Sequence, residues 1–374
     1  MKVLILSANT GQGHNSCAQA IREVCLQHGD ECDIEDVFGL ISHRLSRSIA
    51  RNHEKTYRQK PKKSDRGYQF LLRHPGMFDR KKPVYRMMSL GRRRISRCVL
   101  QGGYDTVVCT HALAAVILTS AIEQEGLKVR SAFVATDHSC SPGVSGSRLD
   151  GYFIPHADLA DEFVQAGVPW QRITATGIPV RQSFCQKADA VQARQALGLA
   201  PDKQHLLMMC GSMGCGPIPE LLRLIAARMP KCWQITVVCG TNEALREQLL
   251  KEHGTNDAIH IRGYEQQMPL LLQSADLYLT KPGGLSTAEA AAAAVPMALI
   301  DAVAGCEENN LRHFVQLGAA VAGTEAQEAA EACLELMNDT DRLTAMAEAL
   351  HREDAAQAAE RIWQALANIK KEPV

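Results

Sequence analysis

Three short stretches place glycines directly after an apolar run, and two of them add a titratable side chain. These are places where a chain can bring its backbone and a catalytic group up to a ligand. The first is VLILSANTGQGH (3–14), a β-like run ending at Ser7, a Gly11-Gln12-Gly13 turn and then His14 at the start of a helical segment. An imidazole there can take a proton from an attacking hydroxyl near neutral pH, and the glycines let a ligand approach the helix N-terminus. The second is LLMMC (206–210) followed by Gly211-Ser212-Met213-Gly214-Cys215-Gly216 and a proline-started helix. Backbone N–H groups in such a turn, with a helix dipole behind them, suit a pyrophosphate. The third, from Arg262 to Asn310, carries TKPGGLSTAEA (280–290) and GCEENN (305–310), each loop falling at the carboxyl end of a predicted strand.

Several chemistries are disfavoured by the same residues. A dinucleotide turn needs glycine or alanine at the last position of GxGxxG, where this chain has Ser16, although Asp36 could stand in for the acid that binds a ribose. The GxxxxGK[ST] pattern of ATP- and GTP-hydrolysing loops is missing, and no Asp-x-Asp occurs in a strand-end loop to hold a metal diphosphate. Diphosphate charge must then be met by the glycine turn, the helix dipole and Lys281, and neither metal nor cofactor is expected.

The elements that position these loops follow from periodicity. Short β-rich apolar runs alternate with helical stretches, the pattern of parallel βαβ units buried on both faces. Strands are predicted at 3–7, 106–109 and 131–135, and the pattern restarts at 206–210, 235–239, 276–280 and 296–300. Two doubly wound sheets are expected, since 374 residues exceed one ordinary core. The first domain spans 1–183, with the join between 183 and 200 after Pro179, and the second spans 200–350. A final helix from Asp354 to Ile369, within a 351–374 tail, is expected to pack back on the first domain.

Composition is that of a globular protein, with 46% apolar and 22% charged residues. No apolar stretch of about 18 residues is present to span a membrane. The thirteen cysteines are scattered without CxxC spacing, which favours a reducing cytosol over a disulfide framework or a zinc site. The net charge of zero hides an asymmetry: residues 42–100 hold 18 Lys and Arg against 3 Asp and Glu. Interleaved with Tyr, Phe, Leu and Met, this insertion reads as helices plus a mobile loop that meets an anionic membrane surface.

Taken in order, SANTGQGH, CTHALAA (109–115), ATDH (135–138), YFIP (152–155), TGIPV (176–180), CGSMG (210–214), RGY (262–264), KPGG-STAEA and GCEENN run nearly the length of the chain. In this order they resemble the family of monogalactosyldiacylglycerol synthases and processive diacylglycerol glucosyltransferases, more distantly related to the GlcNAc transferase of peptidoglycan synthesis. The resemblance implies an α/β fold of GT-B type, two Rossmann-like domains facing across a cleft, the first holding a lipid acceptor and the second a UDP-sugar. It implies that Gly211, Ser212 and Gly214 surround the diphosphate, Arg262 and Tyr264 lie near the uracil, and Lys281, Gly283 and Gly284 flank the phosphates. Glu289 corresponds to the carboxylate that holds the ribose hydroxyls, and Glu307, Glu308 and Asn310 to the loop that reads the sugar. In that loop Cys306 replaces the usual glutamine, so the donor hexose is left open between glucose and galactose. His14 corresponds to the base and Asp137 to a nearby acid that orients it or holds the acceptor. Gly13 lies beside the acceptor, and His111 is the rival base. The loop after ATDH, SCSPGVSGS (139–147), lacks the family's aromatic residue, and its acceptor contacts are not carried over.

The implied reaction is an inverting transfer of hexose from a UDP-sugar to diacylglycerol or a glycosyl-diacylglycerol, giving a β-glycolipid. A cytoplasmic protein bound peripherally to the inner membrane face fits, with Arg80, Lys81, Lys82 and Arg92 to Arg94 against the lipid. Three other readings remain: UDP-GlcNAc transfer to a polyprenyl-linked acceptor, a non-catalytic UDP-sugar sensor on a membrane, and a nicotinamide oxidoreductase. No helix-turn-helix, zinc-finger or RNA-binding motif accompanies the basic segment, so no nucleic acid is expected.

Overall fold

The computed structural model describes residues 1–9, 12–44, 46–49, 51–52, 74–78, 82–186, 189–302 and 305–369. The chain forms two compact units. One is built from Met1–Arg181, Ala304–Cys306 and Gln357–Val374, the other from Gln182–Val303 and Glu307–Ala356.

The first unit is wound on β1 (Lys2–Ser7), β2 (Glu31–Asp36), β3 (Thr106–Cys109), β4 (Arg130–Val134), β5 (Gly151–Ile154) and β6 (Ile173–Ala175). They pair in parallel in the order β2-β1-β3-β4-β5-β6. Val3, Leu4, Ile5 and Leu6 are all fully buried, as a strand covered on both faces requires. At about 1.5–3 kcal/mol for each fully buried large apolar side chain, this one strand already contributes several kcal/mol. Helix Ala112–Glu125 is buried from Ala114 to Ala121 and has no polar face there, which is why its sequence is so uniformly apolar.

The second unit repeats the scheme with β7 (Gln204–Met209), β8 (Trp233–Val238), β9 (Ile259–Arg262), β10 (Leu277–Thr280), β11 (Met297–Ile300) and β12 (Ala320–Gly323). Their order is β12-β11-β10-β7-β8-β9, again parallel. Helix Ile218–Ala226 presents Ile218, Leu221, Leu222 and Ile225 to this sheet, a 3.6-residue stripe of apolar side chains.

Instead of one helix from Asp354, the chain takes a left-handed turn at Asp354 (φ 47°) after helix Thr340–Glu353. It then forms a short turn and helix Ala358–Asn368, which belongs to the first unit. Ile362 and Leu366 of this helix are fully buried among Val3, Ile5, Ala18 and Ile21. Trp363 Nε1 donates to Asp30 at 2.7 Å, its ring stacks on His28 at 3.5 Å, and Arg361 Nε donates to the Thr176 carbonyl at 2.9 Å. Among the described residues no helix is long and apolar enough to cross a membrane.

Candidate active site

In an open parallel sheet, ligands bind beyond the carboxyl ends of the strands, where strand order reverses. The first sheet reverses between β1 and β3, and the second between β7 and β10. Of the loops singled out in the sequence, those before His14, after Met209 and at KPGG leave β1, β7 and β10, whereas GCEENN follows β11 and RGY starts at the last residue of β9.

After β1, helix Gly13–Gln27 begins with Gly13 and His14; Gly11 lies outside the described residues. His14 Nδ1 lies 2.7 Å from the backbone carbonyl of Thr110, which follows β3, so the two strands beside the reversal are bridged by this ring. A carbonyl can only accept, so the proton is on Nδ1 and the lone pair on Nε2. Thr136 Oγ1 stands 3.4 Å from the same nitrogen and 3.5 Å from Asp137 Oδ2. Burial pushes the His14 ring below its usual value of 6.5, against the opposing pull of Asp137 and of the Thr110 carbonyl. The ring is therefore neutral at pH 7, with an acceptor nitrogen available, the state a general base needs.

His111 packs edge-on to His14 with ring centroids 4.7 Å apart. It is the N-cap of helix Ala112–Glu125, and its Nδ1 accepts from the Leu113 N–H at 3.1 Å. Its proton is then on Nε2, so His111 presents a donor where His14 presents a lone pair. Asp36 is taken up by its own helix cap, accepting from Phe38 N, Gly39 N, Asn9 Nδ2 and Ser46 Oγ. This removes the acid that the dinucleotide reading needed.

In the second unit the turn after β7 is locked to the turn after β8. Asn242 Nδ2 donates to the Gly214 carbonyl at 2.9 Å, and Thr241 N donates to the Ser212 carbonyl at 2.9 Å. Gly214 has φ 56°, and a Cβ there would meet the Cys239 carbonyl at 2.1 Å, so no other residue fits. Gly211 and Gly283, by contrast, have nothing within 4 Å of where a Cβ would stand, which leaves their backbone approachable. Gly283 caps helix Gly284–Ala292, the helix that carries Glu289, partly buried, one turn and a half in. Thr280 Oγ1 donates to the Met209 carbonyl at 2.7 Å and joins β10 to β7 at the reversal.

The remaining sequence candidates fall into different places. Tyr264 is 57% exposed, an aromatic face open for stacking. Arg262 is engaged within the fold, donating to Glu265 at 3.0 Å and to the Leu197 carbonyl at 2.9 Å. Asn310 is fully buried, and its Nδ2 donates to the Pro282 carbonyl at 2.9 Å. Through that bond it supports the KPGG loop. The Lys281 side chain is 8% exposed and lies 3.1 Å from Asp301 and 3.8 Å from Glu307, so its charge is met by carboxylates. Glu308 is exposed. Sequence reasoning missed Asn242 and Asp301. The first had a signal, an asparagine ahead of a helical run as an N-cap; the second ends the apolar run PMALI at a strand's carboxyl end.

In the basic segment, Arg80 and Lys81 lie outside the described residues, and Lys82 is exposed ahead of helix Pro83–Met88. Helix Arg92–Gly102 buries Ile95, Ser96 and Val99 and points Arg93, Arg94 and Arg97 outward. Arg92 is held inward, donating to Glu125 at 2.8 Å and to the Ser89 carbonyl at 3.0 Å, while the exposed Arg93 lies 3.6 Å from the same carboxylate. Three large apolar side chains stand exposed among these charges: Met87 at 62%, Leu90 at 73% and Leu100 at 71%.

Residues 14–180 match the family described as monogalactosyldiacylglycerol (MGDG) synthase, and residues 205–362 match the glycosyltransferase family 28 C-terminal domain. The chain is 31% identical to a processive diacylglycerol beta-glucosyltransferase of Bacillus mycoides (strain KBAB4), over 93% of this chain and 89% of that one. It is equally similar to the protein of the same name from Bacillus cereus (strain G9842), with the same coverage. Among solved structures, Acinetobacter baumannii MurG superposes with a TM-score of 0.64 at 16% identity, covering 98% of this chain and 99% of that one. Anabaena HepE in complex with UDP superposes at 0.59 and 14%, covering 98% and 100%. These two likenesses establish the GT-B architecture of paired parallel sheets.

Proposed function

The chain belongs to the family of monogalactosyldiacylglycerol synthases and processive diacylglycerol glucosyltransferases, and from that premise we propose that it transfers a hexose from a UDP-sugar to diacylglycerol. The acceptor hydroxyl loses its proton to Nε2 of His14 as its oxygen forms a bond to C1 of the hexose. The bond from C1 to the β-phosphate oxygen breaks on the opposite side, UDP leaves with the electron pair, and a β-glycoside results. Asp137 steadies the imidazolium as it forms, since its field raises the proton affinity of that ring. The charge on departing UDP is met by backbone N–H groups of the Gly211–Gly216 turn and by the N-termini of helices Ile218–Ala226 and Gly284–Ala292. Glu289 holds the ribose hydroxyls, and Tyr264 stacks on the base.

The observation that carries this reading is a neutral imidazole with its lone pair on Nε2, placed where the first sheet reverses its strand order. The likeness to MurG, at 16% identity, speaks for the fold and not for a polyprenyl acceptor. The test is incubation of the purified protein with radiolabelled UDP-glucose or UDP-galactose and liposomes containing diacylglycerol. Label is expected in the lipid fraction with one of the two donors, undiminished by EDTA. No incorporation from either sugar, with intact binding of UDP, would leave a sensor in place of an enzyme.

The state of His14 gives a second expectation. A base works only when unprotonated, and burial holds this ring below 6.5. Falling pH therefore leaves it neutral until the medium passes below that value. The kcat/KM for UDP-sugar is expected to be level from about pH 8 down to about 6.5 and to fall only beneath it. An acid limb centred above 6.5 would assign the base elsewhere.

A place at a membrane surface has its own support here. Exposed Met87, Leu90 and Leu100 among Arg86, Arg93, Arg94 and Arg97 make a patch suited to the headgroup region of an anionic bilayer. We propose that this patch docks the protein on the membrane that contains its acceptor.

A further inference from the structure

Three neighbouring strands of the first sheet, β1, β3 and β4, each send a polar group past their carboxyl ends, and the three meet at Nδ1 of His14. The ring itself follows β1, and the Thr110 carbonyl, 2.7 Å from that nitrogen, follows β3. The third group is Oγ1 of Thr136, which follows β4 and is only 7% exposed. Ala135 N donates to the Phe153 carbonyl at 2.9 Å, so the ladder with β5 holds the chain up to the residue before Thr136. A β-branched side chain on a backbone fixed in this way has few positions for its hydroxyl.

Elimination sets the direction of each bond. His14 Nδ1 carries a proton, because the Thr110 carbonyl can only accept. A protonated ring nitrogen has no lone pair, so Thr136 Oγ1, 3.4 Å away, accepts a second branch of the same N–H. The hydroxyl proton of Thr136 then points elsewhere, and Asp137 Oδ2 stands 3.5 Å away to receive it. Both contacts are long, but bonds of this kind tighten as charge develops in a transition state. Once Nε2 takes a proton, the Nδ1–H is a charged donor, and the hydroxyl aligned by the carboxylate already turns its oxygen towards it. Among the described residues, the titratable groups facing this ring are Asp137 and His111, the latter edge-on at 4.7 Å with its Nδ1 accepting from the Leu113 N–H.

Resting on the reading of His14 as the base, we infer that Thr136 is a positioning residue: its hydroxyl links the Asp137 carboxylate to the His14 ring and steadies the imidazolium that forms as the acceptor hydroxyl loses its proton. The consequence has two sides. Without the hydroxyl the imidazolium is less stable, so His14 is a weaker base at neutral pH, yet it also stays unprotonated to a lower pH. Loss of a merely structural contact would lower the rate without moving the acid limb.

Thr136→Val tests this, because valine keeps the β-branched shape and removes the hydroxyl, whereas Thr136→Ser keeps the hydroxyl and removes the methyl. In T136V kcat should fall about 10-fold, the worth of one hydrogen bond to a charged group, with KM for the UDP-sugar unchanged. The acid limb of kcat/KM should move about one pH unit lower, and T136S should stay close to the wild type in both. In a D137N background T136V should cost much less than in the wild type, since the link then ends on an uncharged group. The same shift should appear without turnover, in an NMR titration of protein carrying ¹⁵N-histidine, with the His14 signals assigned by their loss in H14A. D137N, which leaves Thr136 in place, should lower that midpoint at least as far. An unmoved His14 midpoint in T136V or D137N overturns the inference, and so does T136S as impaired as T136V, or the full loss in the D137N background. A wild type that passes no label from either UDP-sugar to lipid would instead sink the proposed function, and the NMR titration would still decide the link.

Discussion

His14→Ala is expected to lower kcat by about 10²- to 10⁴-fold, the span for loss of a positioned general base, while calorimetric affinity for UDP stays nearly unchanged. The split follows from where the residue sits. His14 opens the helix after β1, in the first unit, whereas every residue proposed to touch UDP belongs to the second. His111→Ala is the informative companion. With its Nδ1 engaged as a helix cap, this ring carries its proton on Nε2 and cannot take another without giving up the cap. Its removal should cost stability, about 1 kcal/mol by the usual worth of an N-cap, and far less turnover than the loss of His14. If H14A retained near-normal turnover and H111A lost it, the tautomers deduced from Thr110 and Leu113 would have to be exchanged.

Replacing Arg93, Arg94 and Arg97 by Gln, together with Leu90 and Leu100 by Ser, is expected to abolish sedimentation with phosphatidylglycerol liposomes. Each basic residue near an anionic leaflet is worth about 1 kcal/mol, so three of them account for roughly 100-fold in partitioning before the apolar side chains are counted. Arg93, Arg97 and Leu100 recur at helical spacing, so one face of helix Arg92–Gly102 presents both kinds of contact. Arg92 is omitted from the variant because Glu125 and the Ser89 carbonyl already hold it. Activity on diacylglycerol in bilayers should fall in parallel, and UDP binding should not. Liposome binding retained at low salt would remove this patch from the docking surface; high salt should release the wild type.

The strands legible in the sequence all lie in the interior of the two sheets. LLMMC is apolar at every position and ITVVC at all but Thr236, because both faces are covered. The edge strands β2, β6, β9 and β12 escaped, as did the interior strand β5, only four residues long. ECDIED alternates buried and exposed residues beneath an uncovered flank, and ITA is too short to show any period. The glycine turns and His14 could be read because their chemistry is local to a few adjacent residues. The ion pairs of Lys281 could not be read. Its partners Asp301 and Glu307 stand 20 and 26 residues further along, and only the parallel register of β10 and β11 brings the first of them alongside. Asn310 likewise matches the sugar loop in sequence but is drawn inward by the Pro282 carbonyl. A boundary at Asp354 is legible, but the short turn Ala355–Gln357 that delays the last helix to Ala358 is not, because the alanines there favour a helix.

The first sheet is closed by a segment made long after it. Residues 358–368 emerge from the ribosome only when all twelve strands described have been synthesised, yet Ile362 and Leu366 plug the face of β1 and Trp363 is moored to Asp30. Until then Val3, Ile5, Ala18 and Ile21 share an uncapped apolar surface. The half proposed to bind the donor, whose strands run consecutively from Gln204 to Gly323, can mature during translation. The half proposed to carry the base and the membrane patch matures afterwards, so the nascent chain acquires its catalytic competence last.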